Sequence, residues 1–320
     1  MYCIKGGIYI KILSSKEINN AISMRDVIDS IENYYLQDKS SDEIIPDRMH
    51  IDDEENTALL MPAFYGDYYA TKLVGVAPNN TNLEKPTIHG LMVLYNRKTL
   101  EPLMTFDAMP ITALRTGALG GLGMKYLSDQ HASSIGIIGT GTQGWSHLQS
   151  ACAVRKIDTV YVYNRSNKKL HDFISKAEKE FPDQTVREAK LPQLIINSDI
   201  VITTTTSQTP VLPDLDPSVW RGKLVVAVGS FKPSMQELPD SFLSAVDEFY
   251  VDAYSAFHES GDMIRAKHFG ANENNTLSLK KMIEEQHHPE KISDKTLLFK
   301  SVGIGIFDLI TAKEIYEKLS

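Results

Sequence analysis

One stretch limits the folds open to this chain more than any other: Ser133-Ser134-Ile135-Gly136-Ile137-Ile138-Gly139-Thr140-Gly141-Thr142-Gln143-Gly144. An apolar strand runs straight into Gly-x-Gly-x-x-Gly. A helical pattern follows at Trp145, Leu148, Ala151 and Val154, then a second short strand from Thr159 to Tyr163. Strand, turn, helix and strand make a βαβ unit, in which each glycine has a separate task. Gly139 permits the tight turn, Gly141 lets backbone approach a pyrophosphate, and Gly144 lets the helix lie close on the strand. Unpaired amides around Thr140, Thr142 and Gln143 then face the phosphates. A dinucleotide site is expected, the plainer alternative being a glycine-rich turn in some other α/β protein.

The end of the second strand bears on which dinucleotide. NAD sites usually place Asp or Glu there to accept from the adenosine ribose. This chain has Tyr163-Asn164-Arg165-Ser166 and no acid. Arg165 can pair bidentately with a 2′-phosphate and Ser166 can donate to it. NADP(H) is therefore expected over NAD(H), against a merely solvated Arg165 opening the next helix.

At 320 residues the chain exceeds one nucleotide-binding unit, so two domains are expected. A net charge of -8 argues against nucleic acid or an anionic membrane as partner. The start, Met1 to Lys5, lacks the pattern of a signal peptide, and no long uncharged apolar run occurs. Cys3 and Cys152 offer no disulfide framework or metal cluster. A soluble cytoplasmic protein is the expectation.

Ile8 to Leu13 reads as a first strand, followed by two capping boxes, Ser14-x-x-Glu17 and Ser23-x-x-Asp26, each opening a helix. Strand-like runs then recur at Ala58–Phe64, Tyr68–Val76, Ile88–Tyr95 and Pro102–Phe106 with turn-like connectors, which suggests hairpins in a mixed or antiparallel sheet. Pro110 to Ser128 reads as a long helix. Its glycines 117, 120, 121 and 123 imply either close packing or a break. Later strands end in Thr203-Thr204-Thr205-Thr206-Ser207 and in Gly229-Ser230-Phe231. Thr204, Thr205, Thr206 and Ser207 would lie at the carboxyl edge of a parallel sheet, where such sheets bind ligands. A closing helix follows Leu297–Gly303, with the N-terminal region as its candidate partner. The adjacent His287 and His288 sit in a polar stretch that suits a loop better than a metal site.

Three cations lie in otherwise apolar surroundings: Arg48, Lys72 and Arg115. A buried cation is costly unless an anion or acceptor meets it. Beside a nucleotide-binding unit, three of them suggest a pocket for a substrate carboxylate, although each alone could be an internal ion pair or a snorkelling side chain.

With these residues in view the chain resembles the ornithine cyclodeaminase and mu-crystallin family. The resemblance rests on Arg48, the Lys72 strand, Arg115-Thr116-Gly117-Ala118, Gly139-x-Gly-x-x-Gly144 and Lys300-Ser301-Val302-Gly303, in that order, and covers nearly the whole chain. It implies an α/β protein with a Rossmann-type dinucleotide-binding domain (119–298) inserted in an α+β substrate and dimerisation domain (1–118 with 299–320), assembled as a homodimer. It also implies hydride transfer at the α-carbon of an amino or imino acid. Arg48, Lys72 and Arg115 would hold the substrate carboxylate, and Lys72 would assist proton transfer.

Two departures bear on the substrate. Phe231 stands where cyclodeaminases carry a catalytic Asp, and Leu59 where they carry a Glu. A diamino acid's distal ammonium would lose two anionic partners. The expectation is an NADPH-dependent reductase of a small 2-imino acid or cyclic ketimine, with Phe231 in the substrate pocket. The alternatives are an NAD-dependent cyclodeaminase or amino acid dehydrogenase, and a catalytically decayed cofactor-binding protein.

Overall fold

A computed structural model describes residues 2–4, 8–37 and 43–320. Met1 and Lys5 of the opening segment lie outside the described residues. The chain divides into two compact units, residues 1–115 with 304–320 and residues 116–303.

In the first unit, strands β1 (Tyr2–Ile4), β2 (Ile8–Leu13), β3 (Met49–Asp53), β4 (Asn56–Tyr65), β5 (Tyr68–Val76), β6 (Ile88–Asn96) and β7 (Pro102–Asp107) form one sheet in the order β1-β2-β7-β6-β5-β4-β3. All its pairings are antiparallel except β2 with β7, so the sheet is mixed. The expected hairpins are present. Strand β3 has no counterpart among the expectations, because every residue in it is exposed and no alternation marks it.

Both capping boxes form, opening helices α1 (Ser15–Ala21) and α2 (Met24–Leu36). Helix α2 buries Val27, Ile28, Ile31, Tyr34 and Tyr35. The closing helix, Gly305–Leu319, packs on α2, β4 and β5. At its edge Lys318 reaches Asp26 at 2.7 Å and Ser30 donates to Glu314 at 2.8 Å. Gly305 lies so near β4 that a Cβ there would meet the Pro62 carbonyl at 3.2 Å.

The second unit holds β8 (Ser134–Ile138), β9 (Thr159–Tyr163), β10 (Thr185–Glu188), β11 (Ile200–Thr203), β12 (Lys223–Ala227), β13 (Glu248–Val251), β14 (Thr276–Ser278) and β15 (Thr296–Lys300). All pair in parallel, in the order β10-β9-β8-β11-β12-β15-β13-β14. The first five follow the Rossmann order, with the chain reversing direction across the sheet at β8. Strand β15 lies inside this sheet, so the unit extends to Gly303 rather than ending at residue 298.

Helix α3 (Ala108–Leu127) is continuous. Two of its glycines reflect close packing rather than a break: a Cβ on Gly120 would collide with the His147 ring, and one on Gly123 with Phe299. Among the described residues no helix is long and apolar enough to cross a membrane.

Candidate active site

In the first unit, Met61, Lys72, Met92 and Phe106 stand directly opposite one another on β4, β5, β6 and β7, and all are buried. The pleat therefore turns Lys72, a single cation in an apolar row, toward the closing helix. Asp308 meets it there, fully buried one turn into that helix. Its carboxylate lies 2.8 and 2.9 Å from Lys72 Nζ and accepts from Arg115 Nε at 3.2 Å. Thr112, one turn before Arg115 on α3, accepts from Lys72 Nζ at 3.3 Å while donating to the Ala108 carbonyl.

Arg48, half-buried just before β3, is near enough for its charge to act on Lys72. The structure thus brings the three expected cations together and adds an acid that the expectations lacked. Among the described residues two cations, Lys72 and Arg115, face the one Asp308 carboxylate, which leaves that trio cationic. Burial pushes the Lys72 pKa down to about 8; Asp308 opposes this, while Arg115 and Arg48 add to it. Burial alone would raise the Asp308 pKa, but Lys72 and Arg115 hold it below its ordinary value.

Asp308 had a signal of the same kind as the cations. It is the lone charge in Ile304-Gly305-Ile306-Phe307-Asp308-Leu309-Ile310.

In the second unit the glycine turn has the expected geometry. Gly139 adopts φ +105° against Thr204, and a Cβ on Gly144 would overlap the Gly139 carbonyl. Gly141 faces open space, and it caps helix α4 (Thr142–Val154) with no side-chain hydrogen bond. The Thr140 hydroxyl is buried without a partner. Free helix amides, an unpartnered hydroxyl and a bare backbone face fit a diphosphate.

The residues beyond β9 do different work from that expected. Asn164 accepts from the Thr140 amide at 3.4 Å and donates to the Ser166 carbonyl at 3.1 Å. Ser166 caps helix α5 (Asn167–Glu180), accepting from the Lys169 amide. Arg165 is exposed.

Three hydroxyls in the segment after β11 are likewise bonded within the protein. Thr204 donates to the Gly139 carbonyl at 3.0 Å, Thr205 to Glu237 at 2.9 Å, and Ser207 to the Thr209 carbonyl at 2.6 Å; Thr206 is exposed. Phe231 is half-buried in the loop after β12. His287 and His288 point to different partners, the Tyr250 hydroxyl and the Tyr126 carbonyl, each at 3.0 Å.

Residues 10–320 match the family model described as the ornithine cyclodeaminase/mu-crystallin family. The chain belongs to that family. Among its relatives, a Delta(1)-pyrroline-2-carboxylate reductase of Bacillus thuringiensis subsp. konkukian is 33% identical over 315 residues, covering 96% of each chain. Among solved structures, Thermococcus litoralis Delta(1)-pyrroline-2-carboxylate reductase in complex with NADH and L-proline is similar at TM-score 0.88 and 30% identity, covering 97% of each chain. An archaeal alanine dehydrogenase dimer with bound NAD is similar at TM-score 0.86 and 27% identity, covering 97% of this chain and 95% of that one.

These two family structures overturn the expected preference for NADP(H), since both hold the non-phosphorylated dinucleotide. The physical reason lies beyond β9. Of the two residues read as a phosphate clamp, Ser166 caps a helix and Arg165 is exposed, while Asn164 beside them braces the glycine turn.

Proposed function

We propose that the protein reduces a small cyclic 2-imino acid, of the pyrroline-2-carboxylate class, with NADH as reductant. The observation that carries this reading is the buried cationic cluster of Lys72 and Arg115 around Asp308, with Arg48 beside it. Its excess positive charge suits one carboxylate, and the pyrroline-2-carboxylate reductases among the relatives point to the same substrate class. Arg48 and Arg115 hold the carboxylate. Lys72, kept in place by Asp308 and Thr112, gives a proton to the imine nitrogen. When bound, the reduced nicotinamide supplies the hydride that the α-carbon accepts. Orientation by fixed charges provides much of the rate.

The half-buried Phe231 offers no charge to a distal ammonium, which disfavours diamino acids. The likeness to the archaeal alanine dehydrogenase supports a second reading, reductive amination of pyruvate. Purified protein is to be incubated with NADH and pyrroline- or piperideine-2-carboxylate, and separately with NADH, pyruvate and ammonium. NADH consumption with formation of the cyclic amino acid is expected in the first case. Turnover confined to pyruvate, or ammonia release from ornithine with NAD and no net cofactor change, would overturn the reading.

The proton-donating role predicts a pH dependence. Lys72 must be charged, so with a pKa of about 8 the apparent kcat/KM should fall as pH rises through that value. Asp308→Asn removes the anion that favours the ammonium, so the falling limb should move to lower pH. A limb unchanged by that substitution would assign the titration to another group.

We also propose a homodimer. Met49, Leu60, Leu73 and Leu91 are cross-strand neighbours on the sheet face opposite Lys72, and three of them are 56%, 44% and 53% exposed: Met49, Leu73 and Leu91. A continuous apolar row of this kind suits cover by a second copy. Light scattering should give a dimer for the parent and a monomer for Leu73→Glu/Leu91→Glu; an unchanged mass would place the interface elsewhere.

A further inference from the structure

The second unit contains a buried charged cluster that the glycine turn does not explain. Glu237, in the loop after β12, has no solvent exposure. Both its carboxylate oxygens are used twice. Oε2 accepts from the Gly229 amide at 2.7 Å and the Thr203 hydroxyl at 2.9 Å. Oε1 accepts from the Thr205 amide at 2.6 Å and the Thr205 hydroxyl at 2.9 Å. One side chain thereby ties together the ends of two neighbouring strands, β11 and β12. The approach is so close that a Cβ on Gly229 would overlap the Thr205 carbonyl.

Glu237 is itself held in place. Asp262, also without exposure, accepts from the Glu237 and Leu238 amides at 2.8 and 3.0 Å. Its other oxygen, Oδ2, has no hydrogen bond and faces Lys300 Nζ at 3.5 Å. Lys300 lies on β15, opposite Ala227 of β12, and is likewise fully buried. The connection thus runs from Lys300 through Asp262 and Glu237 to Thr203, Thr205 and Gly229. Burying an ammonium and two carboxylates is costly, and apolar residues would serve a mere scaffold better.

The topology indicates what the network holds. In a doubly wound sheet the glycine turn and the strand after it take the adenosine half of a dinucleotide, and the strands across the switch point take the other half. Here those are β11 and β12. We infer that Glu237 is a positioning residue that clamps the ends of β11 and β12 into a fixed floor for the nicotinamide half of the dinucleotide. This rests on the dinucleotide part of the proposed function, and not on the identity of the imino acid.

The test uses two probes on the full chain: NADH, and ADP-ribose, which lacks the nicotinamide. Binding of each is measured by titration calorimetry for the parent and for Glu237→Gln, which turns one accepting oxygen into an NH2 group that faces one backbone amide and one hydroxyl. NADH affinity is expected to fall about ten-fold or more while ADP-ribose affinity stays within about two-fold. An equal fall for both probes would make Glu237 a general scaffold residue and overturn the inference, as would no change in either.

Thr205→Val removes one hydroxyl and leaves the carboxylate in place. It serves if the first variant does not fold, and it is expected to weaken NADH selectively to a smaller degree; equal or absent changes overturn the inference here too. A parent that binds neither probe would overturn the dinucleotide reading and this inference together. Selective loss in the variant together with no imine reduction by the parent would overturn only the substrate.

Discussion

Lys72→Met should lower kcat/KM for pyrroline-2-carboxylate by about 10³-fold, within the range general acids contribute, while changing NADH affinity less than about two-fold. The methionine keeps the length and apolar stem of the lysine on β5, so the row Met61, Met92 and Phe106 stays packed. What disappears is the ammonium held by Asp308 at 2.8 Å. Steady-state kinetics and a separate NADH titration check both halves of the statement. A variant that turned over normally would remove Lys72 from the chemistry. One that lost NADH binding would mean that its role is not confined to the imino acid.

Asp308→Ala should destabilise the protein by about 3–5 kcal/mol, the usual cost of breaking a buried ion pair from one side. The loss strands two cations, since Lys72 and Arg115 both rely on this carboxylate and are 2% and 6% exposed. Denaturant unfolding measures the effect. Lys72→Met/Asp308→Leu should recover part of the stability, because one stranded charge goes with its partner, but none of the activity. If Asp308→Ala alone were as stable as the parent, the cluster would have to be open to water.

Much of this architecture could be read from periodicity and punctuation. The βαβ unit was legible because strand, glycine turn and helix follow one another without interruption. The hairpins of β4 to β7 were legible from alternation and turn residues. Lys72 and Arg115 stood out because a charge in an apolar run has to be answered somewhere. What answers it was not legible: Asp308 lies 236 residues from Lys72 along the chain, and only tertiary packing brings them together.

The misreading beyond β9 has a related cause. Asn164 and Ser166 have side chains short enough to bond nearby backbone, and that local use is invisible in a list of residue types. The Thr205 hydroxyl was likewise read from its place at a strand end, whereas it donates to Glu237, a buried acid 32 residues further along the chain. Edge strand β3 escaped because it has no buried side to betray it.

The first unit is built from two stretches distant in sequence, with residues 304–320 completing what residues 1–115 begin. During synthesis the intervening residues 116–303 leave the ribosome whole and can fold as a contiguous body. The amino-terminal sheet has no such opportunity. Its inner row, with Lys72 among apolar neighbours, must wait for the helix Gly305–Leu319 to be released. Until then its ammonium has no carboxylate and its methionines have no cover. The buried cluster is thus complete only once residues 304–320 dock and bring Asp308 with them.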